Sequence, residues 1–312
     1  MQRIKIVIPA ICMMILLVIL TGCGPQAGED GNKGTQQEVQ EGFPLTIMDS
    51  LDRKVTIAAL PSRLVSLSPA VTEILFAIRA EDKLVGVTDY CDYPAEALQK
   101  PKVGSFSNPN IELVVDSKPD VIFTAAGVQK DVVKQFTDLG IQVVVLDATN
   151  MTQVLDNIQL IGRITGLAEQ ADKVVKQLEN RREAVKNKVA QEETKPKVFF
   201  EVWDNPLMTA GPDTFIHDMI VTAGGINVAG DTKKQFVELN QEFVLTQDPD
   251  IYIINSHAHT PEDIEKRPGF SGLKAVQEGH IYGIEDDLVT LPGPRLFDGL
   301  EQMAAIIHPE LF

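Results

Sequence analysis

Two blocks of alternating strand and helix patterns lie on either side of one long, charged helical segment. In the first block, short apolar runs stand at 64–67, 84–87, 121–124 and 142–146, and in the second at 197–202, 250–255 and 280–284. Short strands separated by helices are typical of a parallel sheet with helices on both faces. The pattern therefore predicts an α/β fold with two Rossmann-like lobes.

The segment between the blocks keeps helical spacing of apolar residues through 152–190. One helix over this range would be about 57 Å long at 1.5 Å per residue, enough to connect two lobes. Gly162 and Gly166 leave open two shorter helices joined near Gly166. We predict an N-terminal lobe at 43–151, a connecting helix at 152–190 and a C-terminal lobe at 191–312.

Residues 1–22 have the pattern of a secretory signal peptide, with Arg3 and Lys5 before an apolar run at 6–20. This run is shorter than the roughly 20 residues of a membrane span. Leu20-Thr-Gly-Cys23 resembles the bacterial lipobox and predicts lipidation of Cys23. An uncleaved anchor helix is the alternative. Acyl chains hold a protein at a membrane by about 0.8 kcal/mol per buried CH₂, so we expect an extracytoplasmic, lipid-anchored protein.

The net charge of the chain and the polar segment after the signal peptide limit the functions that the protein can have. Residues 23–42 are rich in Gly, Gln, Glu and Asp, which predicts a flexible tether behind the lipidated cysteine. The net charge is −16, and removal of Arg3 and Lys5 with the signal peptide leaves −18. Nucleic-acid binding needs a basic surface, so this charge excludes it and indicates a soluble folded body. Cys91 would then be the last free thiol, with no disulfide possible.

Several motifs recur in one order along the chain, and together they resemble a known family. They stand at 63–77, 85–94, 103–112, 118–122, 206–211, 223–227, 248–254 and 293–301. From about Phe43 to the C-terminus the chain resembles the class III solute-binding proteins of ABC importers, most closely the cobalamin-binding branch.

The resemblance implies a fold and a set of partners. It implies two α/β lobes joined by a single long helix, with the ligand in the cleft between them. The expected function is capture of a corrinoid and its delivery to a permease dimer with ATPase subunits. We expect a monomer that is not an enzyme, has no catalytic residue, and uses no cofactor or metal of its own.

Five residues at positions that match the family are predicted to contact the ligand. Tyr90 and Phe106 belong to the first lobe, and Trp203 and Phe236 to the second. Aromatic side chains give broad, rigid contact with the flat faces of a chelate. Core packing is the alternative for Phe106, Phe236 and Trp203. Arg295 opens the last predicted helix, where it would meet polar ligand edges or form a surface salt bridge.

Two glutamates are predicted to dock the protein on its transporter. Glu112 and Glu242 each lie in the first turn of a predicted helix, one in each lobe. In the family that the chain resembles, such a pair forms salt bridges with arginines on the two permease halves. A structural role opposite the helix dipole would also account for either residue alone.

Other functions remain as alternatives. A haem or ferric-siderophore carrier would have the same fold, and His257 or His259 would suit haem. A lipid-anchored metal-dependent hydrolase would use these histidines with Asp213 or Asp287. Zinc sites usually have three or four protein ligands, and the chain has no P-loop, HExxH or nucleophile-elbow motif. We therefore favour an ordinary loop at the histidines.

Overall fold

The computed structural model describes residues 42–125, 130–256 and 260–312. The predicted signal peptide, Cys23 and the rest of the tether up to residue 41 lie outside these residues, and they stay predictions. Within the described part of the chain, no helix is both long and apolar enough to cross a membrane.

A two-stranded hairpin opens the described chain. β1 (Leu45–Met48) pairs antiparallel with β2 (Lys54–Ile57). Between the strands, the buried Asp49 carboxylate accepts hydrogen bonds from the side chain and the backbone N–H of Arg53. Arg53 also donates to the backbone carbonyl of Val143 at 3.0 Å. This bond ties the hairpin to the first lobe.

The first lobe contains a four-stranded parallel sheet that confirms the predicted strands. These are β3 (Leu64–Ser66), β4 (Leu84–Val87), β5 (Val121–Ala125) and β6 (Gln142–Leu146), in the spatial order β4-β3-β5-β6. The helices of this lobe are α1 (Pro69–Ala77), α2 (Ile111–Asp116) and α3 (Lys130–Asp138). The carboxyl ends of β3, β5 and β6 therefore meet at one edge, where open α/β sheets commonly bind ligands.

The connection between the lobes is two helices, so the single helix over 152–190 is wrong. α4 (Met151–Thr165) ends at Gly166, and α5 (Ala168–Val189) follows it. Gly166 takes a left-handed conformation with φ of 73°, and Leu167 N–H bonds to the carbonyl of Gly162. Glycine adopts this conformation without steric cost and so ends the helix. α5 alone, about 33 Å long at 1.5 Å per residue, leads into the second lobe.

The second lobe contains a mixed sheet: the three strands that the sequence predicts are parallel to one another, and a strand that it does not predict runs antiparallel. Its strands are β7 (Lys197–Asp204), β8 (Leu207–Ala210), β9 (Ile226–Asn227), β10 (Phe236–Glu238), β11 (Ile251–Asn255) and β12 (Ile281–Ile284). β7, β11 and β12 are parallel, whereas β8 runs antiparallel to both β7 and β10. Only two residues separate β7 from β8, and a connection that short requires antiparallel strands.

The helices of the second lobe include the predicted helix that carries Glu242 and the last predicted helix, which Arg295 precedes. The helices of this lobe are α6 (Phe215–Thr222), α7 (Gln241–Gln247), α8 (Pro261–Glu265), α9 (Lys274–Gln277), α10 (Asp287–Thr290) and α11 (Leu296–Ile307). One apolar core contains buried residues of both lobes, among them Ile74 of α1, Ile158 of α4, Leu178 of α5 and Phe297 of α11. The lobes are therefore joined by shared packing as well as by the chain.

Candidate functional site

A cleft runs between the two lobes at the carboxyl ends of their parallel strands. It holds two cavities of about 380 and 680 Å³ that share Pro69, Phe106 and Leu291. Ala125 at the end of β5 and Asp147 just after β6 line the smaller cavity. Because both lobes contribute to each cavity, the predicted position of the ligand site coincides with a real cleft.

Three of the predicted aromatic residues line this cleft. Tyr90, which is 64% exposed, lines the larger cavity. Phe106 lines both cavities, and the half-exposed Phe236 lines the smaller one from the opposite lobe. For Phe236, this exposure argues against the alternative of core packing. Their contact with a ligand stays a prediction, but the geometry offers apolar faces from both sides.

Trp203 lies outside the lining of both cavities. It stands near the end of β7, 50% exposed, and its indole Nε1 donates to the backbone carbonyl of Asn205 at 3.0 Å. The strand register sets Trp203 beside Met208 and Met208 beside Glu238. Trp203 is therefore two strands away from β10, which carries Phe236. Its half exposure argues against a buried core tryptophan.

Arg295 forms a largely buried ion pair with Glu73, which the partly exposed Asp287 extends to a triad, and Arg295 lines neither cleft cavity. Its Nη2 is 2.7 Å from Glu73 Oε1 and 3.1 Å from Asp287 Oδ2, and its Nε is 2.9 Å from the same Glu73 oxygen. The Tyr93 ring covers the guanidinium at 4.2 Å. The salt-bridge alternative thus describes the geometry, although the pair is buried and not on the surface. Ligand contact by Arg295 stays a prediction that these contacts oppose.

Burial and charge act against each other in this triad. Burial raises the pKa of the Glu73 carboxyl, while the hydrogen bond from Arg295 opposes that shift. Burial also lowers the pKa of Arg295, but the hydrogen bonds and charges of Glu73 and Asp287 outweigh it and raise the pKa further above its ordinary value. Arg295 therefore keeps its positive charge at every physiological pH.

The described lining of the cleft is acidic. Its carboxylates are Asp92, Asp147, Asp213, Glu285, Asp286 and Asp287, and none of the described lining residues is Lys, Arg or His. Asp92, Asp147 and Glu285 are not among the residues predicted from the sequence. Asp147 and Glu285 directly follow β6 and β12, and this position at a strand end is the signal that would have indicated them.

Glu112 and Glu242 lie where the sequence predicts, each exposed in the first turn of a short helix. The Asn110 side chain caps α2 by accepting a hydrogen bond from the Leu113 N–H at 3.1 Å. In α7, Asn240 accepts from the Phe243 N–H at 2.9 Å. The two lobes therefore present the same local structure: an asparagine cap followed, two residues later, by a glutamate.

The residues of the hydrolase alternative are not brought into one described site. His257 and His259 lie outside the described residues. Asp213 lines the smaller cavity, whereas Asp287 is bound to Arg295. Within the described ranges, one group has a spacing that could hold a metal ion, and it consists of Glu192, His308 and Glu310. None of these three residues lines a cleft cavity.

Comparison with known proteins identifies the family. Residues 64–288 match the model of the periplasmic binding protein family. A Bacillus subtilis ABC transporter substrate-binding lipoprotein, YvrC, is 35% identical over 308 residues, which cover 96% of each chain. A cobalamin-binding protein of Halobacterium salinarum is 27% identical over 277 residues, or 85% of this chain and 74% of that relative.

A solved structure shares the fold over the described lobes. It is a possible iron-binding, periplasmic solute-binding protein from Staphylococcus epidermidis, with a TM-score of 0.74 and 30% identity, covering 80% of this chain and 100% of that chain. These relatives are named as binding proteins and not as enzymes. The resemblance inferred from the motifs is thus confirmed. The chain belongs to the periplasmic binding protein family, as a substrate-binding protein of an ABC transporter.

Proposed function

We propose that the protein captures a corrinoid outside the cytoplasm and delivers it to the permease of an ABC importer. The observation that carries this proposal is the cleft, in which aromatic residues of both lobes line the same cavities as several carboxylates. A corrin ring offers broad apolar faces, and its edges carry amide groups whose N–H bonds suit carboxylate acceptors. The similarity to a cobalamin-binding protein supports the same ligand class.

A haem or ferric siderophore is the alternative cargo, favoured by the iron-binding description of one structural relative. Haem carries two propionates, and many siderophores are anionic. Such ligands would meet the carboxylates of Asp92, Asp147 and Glu285 without a described basic residue in the cleft lining to offset the repulsion. The charge of the described lining therefore favours the corrinoid.

Binding of three ligands in parallel tests this proposal. The protein, purified in detergent, is titrated calorimetrically with cyanocobalamin, haemin and a ferric siderophore. Saturable binding of cyanocobalamin in the micromolar range or tighter, with weaker binding of the other two, is the expected result. Saturation by haemin or the siderophore alone would change the cargo, and binding of none would refute the proposal.

We also propose that Cys23 carries a lipid and that residues 23–42 tether the two lobes to the membrane. The signal pattern and the apolar run before Cys23 support this, as does the name lipoprotein of the Bacillus subtilis relative. A tether leaves the folded body free to reach a membrane partner while it stays concentrated near it.

Docking on the permease is proposed to use Glu112 and Glu242. Both side chains are exposed, both follow an asparagine cap, and each belongs to a different lobe. A permease dimer offers the same surface twice, so a partner with one equivalent acid in each lobe matches its symmetry. Exposed acids facing cations mainly set the encounter rate and the orientation of the complex.

A further inference from the structure

The Glu73–Arg295–Asp287 triad joins the two lobes by charge. Glu73 belongs to α1 of the first lobe, whereas Arg295 and Asp287 belong to the second lobe, before α11 and at the start of α10. We propose that this triad is a latch that fixes the resting separation of the lobes and slows release of the ligand. The second part rests on the proposed function, and the first part does not.

Because Glu73 and Arg295 are largely buried, their ion pair can form in only one arrangement of the two lobes. The side chain of Glu73 is 3% exposed and that of Arg295 11%. Two nitrogens of Arg295 bind the same oxygen of Glu73, and Tyr93 covers the guanidinium. A buried charge without its partner is strongly unfavourable. Any opening that separates Arg295 from Glu73 therefore has an energetic cost that a solvent-exposed pair would not impose.

The surroundings of Glu73 leave little freedom for another arrangement. Its Oε2 has no hydrogen-bond partner among the described residues. A β-carbon placed on Gly293 would lie 3.0 Å from this oxygen, so a larger residue there would require the carboxylate to shift by a few tenths of an ångström. The carboxylate is thus held between α1 and the segment before α11, with a single oxygen committed to Arg295.

The latch lies next to the cleft. Asp287 lines the larger cavity and also accepts the hydrogen bond from Arg295. Pro69, one turn before Glu73 on α1, lines both cavities, as does Leu291. A change in the lobe separation at the triad would therefore change the width of the cleft, and a ligand in the larger cavity would lie next to Asp287.

A second arginine offers a matched control within the same chain. Arg181 binds Asp298 at 2.5 Å and Glu301 at 2.7 Å, which is again one arginine with two acids. These two ion pairs join α5 to α11, and neither involves a residue of α1. Arg181→Gln therefore removes an arginine ion pair but leaves the contact between Arg295 and Glu73 intact.

The first experiment measures the distance between the lobes without ligand. Spin labels are placed at the exposed residues Leu139 and Val221, in the full chain with Cys12→Ser and Cys23→Ser. We expect a narrow distance distribution in the parent and in Arg181→Gln, and a shifted or broader one in Arg295→Gln. An unchanged distribution in folded Arg295→Gln would overturn the latch. If that variant fails to fold, Glu73→Gln is judged by the same criterion.

The second experiment measures release of cyanocobalamin by stopped flow. Arg295→Gln is expected to release the ligand about tenfold faster, with an association rate within about twofold of the parent. Equal release rates, together with a changed lobe distance, would overturn the effect on the ligand and leave the latch standing. If the parent binds no corrinoid, the proposed function fails, and the distance measurement still decides on the latch.

Discussion

Glu112 and Glu242 occupy the same position in two helices that belong to different lobes. Each is the second residue of its helix and follows an asparagine whose side chain accepts a hydrogen bond from a backbone N–H three residues on. Their carboxylates are exposed, so they are available to a partner in a way that the buried acids of the protein are not.

Charge reversal at both positions tests docking. We expect Glu112→Lys with Glu242→Lys to reduce uptake by about tenfold or more, because like charges would face the permease cations. Ligand affinity, measured on the purified protein, should stay within about twofold of the parent, since neither residue lines the cleft. The control reverses the exposed Glu179 and Glu265. Uptake equal to that of this control would contradict the docking role.

Phe106 is the residue whose loss should weaken ligand binding most clearly, because it lines both cavities of the cleft. Full burial of a phenylalanine contributes about 1.5–3 kcal/mol, so Phe106→Ala should weaken binding by about tenfold or more. Leu98→Ala removes an exposed apolar side chain outside both cavities and serves as the control. Calorimetric titration measures both, and equal affinities would remove Phe106 from the site.

Membrane attachment should depend on one cysteine. Cys23→Ser should move the protein from the membrane fraction to the soluble fraction, because the acyl chains supply the apolar burial that holds it. Cys91→Ser is the control, since Cys91 is buried in the fold beside Thr72 and Thr88. Fractionation followed by immunoblotting measures both variants. Retention of Cys23→Ser at the membrane would favour an uncleaved anchor helix.

The buried pair of Glu201 and Arg267 should be important for stability. Arg267 binds both oxygens of Glu201 at 2.7 and 2.8 Å, and the Tyr252 hydroxyl donates to the same carboxylate. Arg267→Met leaves a buried charge alone and should reduce the free energy of unfolding by about 3–5 kcal/mol. Lys134→Met breaks an exposed pair with Asp138 and should change it by less than about 1 kcal/mol. Urea unfolding compares the two.

Asp49 should contribute to stability in a way that depends on pH. Burial raises its pKa, but hydrogen bonds from Arg53, Leu51 and Val145 outweigh burial and lower it below the ordinary value of 3.8. A lowered pKa in the folded state gives stability that is complete above the unfolded value and is lost as pH falls. The stability difference between the parent and Asp49→Asn should therefore shrink below about pH 4.

Urea unfolding from pH 6 to pH 3 measures this difference. Asp138→Asn, on the exposed side of α3, provides the control. A difference between the parent and Asp49→Asn that stays constant over this range would show that the lowered pKa does not contribute.

The sequence predicts an element correctly where a local pattern of residues determines its structure. The parallel strands of the first lobe, the strands β7, β11 and β12 and the helices that carry Glu112 and Glu242 follow from apolar periodicity and turn residues. The prediction fails for β8, since four residues beside Pro206 give too short a pattern to recognise. At Gly166 the pattern left two readings open, because only the backbone conformation distinguishes a tolerated glycine from a helix end.

The candidate site also has some residues that the sequence identifies and others whose contacts it cannot predict. Aromatic residues in the connection between β4 and α2, such as Tyr90 and Phe106, are recognisable because their chemistry suits a flat ligand and their motifs match the family. Arg295 is different: its partner Glu73 stands 222 residues away in the chain. A pairing at that separation has no local signal, so the sequence could not distinguish a ligand contact from a bond between the lobes.

The apolar core shared by α1, α4, α5 and α11 has a consequence for how the protein melts. Each lobe also has a smaller apolar cluster of its own, but the shared core contains buried residues of both lobes, so neither lobe can lose that packing while the other keeps it. Heating should therefore produce one calorimetric transition whose van't Hoff and measured enthalpies agree. A ligand that binds only between the lobes would then protect the whole folded body, from the first hairpin to the last helix, against heat.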